Sequence, residues 1–61
     1  MTGKQLKKIL EEHGWLLDRI SGSHHIMIHE GFRSIPISIH GSTDLPKGLV
    51  HGILKQAGIK E

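Results

Sequence analysis

Apolar residues recur along this chain in two rhythms. Near the start, Leu6, Ile9, Leu10 and His13 fall at helical spacing, while Lys4, Lys7, Lys8, Glu11 and Glu12 take the other faces. Thr2 and Gln5 form a T-x-x-Q capping box at the front of this helix, and Gly14 suits the position that ends it. The helical rhythm returns near the other terminus, where Leu49, Val50, Ile53, Leu54 and Ala57 make a continuous stripe. Pro46 suits the first turn of that second helix and Gly58 its end.

Between the helices the period falls to two. Trp15–Ile20 is rich in large apolar residues and Ser21-Gly22-Ser23 is a turn. His24–His29 alternates, with His24, Ile26 and Ile28 on one face and His25, Met27 and His29 on the other. After the Glu30-Gly31 turn, Ser34–Ile39 repeats the pattern with Ile35, Ile37 and Ile39 opposite Ser34, Pro36 and Ser38. Pro36 lacks an N–H and therefore predicts an edge strand. His40 to Asp44 reads as a polar loop. The order is α-β-β-β-α: an α+β domain with two helices packed as one layer on a three-stranded antiparallel sheet. The predicted core holds Leu6, Ile9, Leu10, Trp15, Leu17, Ile26, Ile28, Ile35, Ile37, Ile39, Leu49, Ile53 and Ala57.

Length confines this pattern to one domain over residues 1–61 and excludes doubly wound folds and barrel enzymes. A chain so short buries only about 60% of its unfolded surface, a thin margin that an oligomer or a partner would improve. With no cysteine, disulfides and thiolate chemistry are excluded, and a reducing, cytoplasmic setting is expected. Neither a signal segment nor a membrane span is expected, the longest apolar runs being short. Eight Lys+Arg against six Asp+Glu give a net charge of only +2, which permits a phosphate partner without demanding one.

Histidine is the residue that stands out. There are six, at positions 13, 24, 25, 29, 40 and 51. Imidazole accepts and donates protons near neutral pH, and with no Cys or Tyr it is the main candidate for acid–base work. Their spacing argues against a metal: the chain has no His-x-His on a strand and no His-x-x-x-His on either helix. Neither a metal nor any other cofactor is expected. The informative place is Gly22-Ser23-His24-His25, where a turn gives backbone access and a strand holds the next side chain stiffly. There His24, at the rim of the apolar layer, could serve as a general base. The same four residues also read as a turn followed by two surface histidines, and spacing leaves both readings open. His13 reads as a capping or packing residue, His51 as solvated, and His40 as either facing the Gly22–His24 turn or idle. Lys47, at the start of the second helix, could hold a phosphate, and Lys4, Lys7, Lys8 and Lys55 could add to a basic surface.

Four segments together carry a family resemblance. They are K-Q-L-K-K-I-L-E-E-H-G-W from Lys4, G-S-H-H at Gly22–His25, I-H-G at Ile39–Gly41, and L-V-H-G-I-L-K-Q-A-G-I from Leu49. In these, over essentially its whole length, the chain resembles the HicA mRNA-interferase toxins, the YcfA-like family. The resemblance implies a fold similar to the double-stranded-RNA-binding domain and metal-independent cleavage of mRNA that arrests translation. It also implies a HicB-like antitoxin that covers the active site. The family's catalytic histidine follows Gly-Ser, which is His24 here. Many members carry Pro two residues before the histidine of the H-G loop, where this chain has Ser38.

On that reading His24 takes the 2′-OH proton of RNA, while the Gly22-Ser23 backbone and Lys47 hold the phosphate. The leaving 5′ oxygen is protonated by His25, His40 or water. Two other readings stand beside it. One is a non-catalytic RNA-binding module of the same fold. The other is a small scaffold that docks a protein on an exposed sheet face including Met27 and Leu16.

Overall fold

The computed structural model describes residues 1–60. Five elements follow in the expected order: α1 (Gly3–Glu12), β1 (Leu16–Ser21), β2 (His24–Ile28), β3 (Ile35–Ser38) and α2 (Lys47–Gln56). The sheet is antiparallel with order β1-β2-β3, so the proline-bearing β3 lies at an edge as its missing N–H predicts.

Both ends of α1 are built from the residues that sequence singles out. The Gln5 N–H donates to Thr2 Oγ1 at 3.2 Å and the Thr2 N–H to Gln5 Oε1 at 2.9 Å, which satisfies two otherwise orphaned donors. At the far end Gly14 takes φ +90°, its N–H donates to Glu11 O, and the Trp15 N–H donates to Leu10 O. This Schellman geometry turns the chain and drops the indole of Trp15 into the core beside Leu10. His13 caps as expected, its ring Nδ1–H donating to Ile9 O at 2.9 Å. α2 ends in the same way: Gly58 at φ +71° donates to Lys55 O, and Ile59 to Leu54 O.

Gly3 has a different reason to be glycine. A methyl group there would collide with the carbonyl oxygen of Ser38, so the first turn of α1 rests directly on the end of β3. The chain start is held further by Leu45, whose N–H donates to Met1 O at 2.8 Å, and by an ion pair from the Met1 ammonium to Asp44 at 3.4 Å.

Leu6, Leu10, Trp15, Met27, Ile35, Ile37, Val50, Ile53, Leu54 and Ala57 form the core between helices and sheet. This corrects the predicted core in one consistent respect. β2 presents His25 and Met27, not Ile26 and Ile28, to the helices: Met27 is 0% exposed, whereas Ile28 is 38% exposed. Register explains it. Met27 pairs with Ile35 and His25 with Ile37, and paired residues share a face, so the two inward isoleucines of β3 carry Met27 inward with them. Met27 therefore cannot belong to an exposed docking face. Leu17 is exposed because β1 lies at the far edge of the sheet from β3, the strand that α1 packs against. Leu49 is 46% exposed: the helical stripe is wider than the surface it covers, and Val50, Ile53 and Leu54 take the buried positions.

Candidate functional site

The Gly22-Ser23 turn joins β1 to β2 with only two residues, because Ser21 and His24 are already a pair. Gly22 takes φ +59°, the conformation that lets so short a turn match the twist of its strands. The turn is tied to β3 as well, through the Ile39 N–H donating to Ser23 O at 2.9 Å. His24 thus begins the central strand on a backbone braced from both sides.

The side chain of His24 is exposed and belongs to the sheet face that no helix covers. On that face it stands in a row between Ser21 of β1 and Ser38 of β3, each directly opposite it. Opposed residues keep their Cβ atoms about 4.5–5.5 Å apart, near enough for a hydroxyl to meet the imidazole or a ligand shared with it. Arg19 pairs with Ile26, which places it on the same face two residues from Ser21, and its guanidinium bonds Asp18 at 2.8 Å. A β-bulge between Leu17 and Arg19 sits just beyond. The remainder of this face is apolar: Leu16 pairs with Ile28, and Ile26 with Pro36.

His25 points the opposite way. It is half-buried on the helix side, where its Nδ1 is buried without a hydrogen-bond partner. There it borders a groove with Lys4, Lys7, Lys8, Ile39 and Gly41. His40 is exposed and follows Ile39, the residue bonded to Ser23, so its loop leaves β3 at the same end of the sheet as the Gly22-Ser23 turn. Lys47 lies elsewhere. It opens α2 and borders a separate depression with Met1, Leu45, Val50 and His51.

Gly22, Ser23 and His24 are therefore gathered at one end of the sheet, with His25 behind it and Lys47 apart. Ser21, Ser38 and Arg19 are the residues that sequence reasoning missed. The signal for Ser21 was present: a two-residue turn at Gly22-Ser23 fixes Ser21 opposite His24, and Arg19 then shares their face. Among the described residues no three His, Asp or Glu side chains gather to hold a metal ion.

The family model described as HicA toxin of bacterial toxin-antitoxin matches residues 3–59 of the chain. The chain belongs to the HicA toxin family. Matched this widely, it takes the toxin's part in a toxin–antitoxin pair, and membership implies an antitoxin partner. No curated protein matches the sequence. Among the described residues, no helix of this HicA-family chain is long and apolar enough to cross a membrane.

Proposed function

We propose that this HicA-family toxin is a ribonuclease that cuts mRNA with His24 as its general base. The observation that carries the reading is the position of His24: solvent-exposed, at the braced end of the central strand, in a row with two serine hydroxyls. RNA brings its own nucleophile in the 2′-OH, so a stiffly held base beside a phosphate-holding turn supplies the essential step. His24 removes the 2′ proton, the 2′ oxygen attacks the adjacent phosphorus, and the bond from phosphorus to the 5′ oxygen breaks. A 2′,3′-cyclic phosphate and a 5′-hydroxyl result.

The proton for the departing oxygen comes from His40 or water in this scheme, because His25 points to the other side of the sheet. The Gly22-Ser23 backbone and Arg19 hold the phosphate, and Lys47, from its separate depression, can meet flanking nucleotides. The antitoxin blocks the reaction by seating on the same uncovered face, where Leu16 is 67% exposed and Ile28 lies beside it.

The test compares native chain and His24→Ala on a defined mRNA in the presence of a chelator. Loss of a lone general base costs about 10²–10⁴-fold in rate. The native chain cuts and the variant falls by that factor. Cleavage by His24→Ala at the native rate defeats the mechanism, and RNA binding without cleavage by the native chain favours a non-catalytic binding module.

A further inference from the structure

His25 and three lysines are brought together on the side of the sheet that the cleavage reaction leaves unused. Lys4, Lys7 and Lys8 come from one helix, His25 from β2, and Gly41 from the loop after β3; they border an open groove of about 760 Å³. The groove holds three of the chain's eight Lys+Arg and no carboxylate lines it. Lys7 pairs with Glu11 at 3.3 Å, leaving Lys4 and Lys8 as exposed cations. Nothing is required of the front of α1, where the capping box already occupies the Thr2 and Gln5 amides.

His25 adds direction. Its Nδ1 is buried and has no acceptor, a poor place for a proton, so the proton is favoured on Nε2. Nε2–H is then the one donor that the ring has to offer a ligand in the groove that His25 lines. Gly41, at φ +56° with nothing within 4 Å of where a Cβ would stand, leaves the lip open to a close backbone approach.

We propose that this groove is a second phosphate subsite, which grips the RNA strand at a nucleotide flanking the one cut at His24. The inference rests on the ribonuclease reading and deepens it. A single strand that leaves His24 and passes over the end of the sheet at Ser23 and Ile39 descends about one layer spacing, near 10 Å, before it meets the lysines. The groove binds phosphate by charge and by one imidazole donor. It reads no base, so it contributes affinity without sequence preference.

The test uses a short 2′-O-methyl RNA, which has no free nucleophile, and follows binding across a salt series. The Lys4→Gln, Lys8→Gln pair removes two exposed cations from the groove. It weakens binding severalfold and flattens the slope of log affinity against log salt by about 0.7 for every phosphate that the groove ceases to neutralise. With cleavable RNA the same pair raises KM and leaves kcat in place. His25→Ala also weakens binding. A control pair, Arg33→Gln with Lys60→Gln, removes equal charge outside the groove and has a smaller effect.

If the groove pair binds and cuts like the native chain, or if the control pair does equal damage, the subsite is refuted. If the native chain shows groove-dependent binding but cuts nothing, the subsite stands and the ribonuclease reading falls. If it binds no RNA at all, both fall.

Discussion

Replacing Gly3 by alanine tests how the fold holds the proposed site. Alanine is normally the better helix residue by up to about 1 kcal/mol, so a substitution at the front of α1 would ordinarily be neutral or helpful. Here the added methyl meets the Ser38 carbonyl oxygen, and lies 3.1 Å from its carbon and 3.2 Å from Ile39 Cγ1. The carbonyl cannot swing aside cheaply, because Ser38 is paired with His24 and the next residue's N–H is bonded to Ser23. Forcing a methylene-sized group into such a contact costs roughly 1–3 kcal/mol. The overlap with a fixed carbonyl puts the cost at the upper end of that range, so a net loss of up to about 2 kcal/mol remains, equivalent to a fall in Tm of up to roughly 15 °C in a domain of this size. The strain falls on the strand that flanks His24, so cleavage measured where the variant is still folded should drop as well. Gly52→Ala is the matched control. It lies inside α2 with nothing within 4 Å of a new Cβ, and should stabilise by about 0.5–1 kcal/mol. Thermal and urea melts by circular dichroism read both. A Gly3→Ala variant that melts at or above the native temperature refutes the close contact.

The two faces of β2 give a second contrast: Met27→Ala should cost about 2–5 kcal/mol in a urea melt and Ile28→Ala within about 1 kcal/mol, and reversed values would mean that the strand is flipped. Ser38→Ala should leave the melt unchanged while slowing cleavage by about 2- to 10-fold, the worth of one hydrogen bond of about 0.5–1.5 kcal/mol, and an unchanged rate removes Ser38 from the site.

Local chemistry made much of this fold legible. The Thr2–Gln5 box, the glycines that stop both helices and the proline that marks an edge each act through neighbours in sequence, so their reading needs no tertiary knowledge. The facing of β2 did not yield to the same treatment. His24, Ile26 and Ile28 alternate with His25, Met27 and His29, and two isoleucines look more buried than one methionine. With helices on one side only, however, the other face must still be built from something, and much of any protein surface is apolar. Pairing with Ile35 and Ile37 decides the matter, and that register is concealed by the irregular connection from His29 to Ser34. The same concealment hid Ser38. Ser21 was within reach, because a two-residue turn fixes the strand pair that it joins.

Strand alternation assigns the neighbouring histidines different work. Consecutive side chains on a strand emerge on opposite faces, so His24 and His25 cannot both serve one scissile bond, however close they lie in sequence. His24 shares its face with Leu16, Ile26 and Ile28, apolar residues grouped on the side of the sheet that no helix covers. On the proposed reading, the antitoxin takes this patch as its seat. With the proposed base and the proposed seat on one face, inhibition would be steric: a partner that buries Leu16 and Ile28 keeps RNA from His24 without having to recognise any feature of the reaction. His25 and its lysines lie on the other side of the sheet from that patch. Covering the open face should therefore stop the proposed cleavage while leaving the groove's charge available, so the antitoxin-bound chain is expected to keep a weakened, salt-dependent hold on RNA.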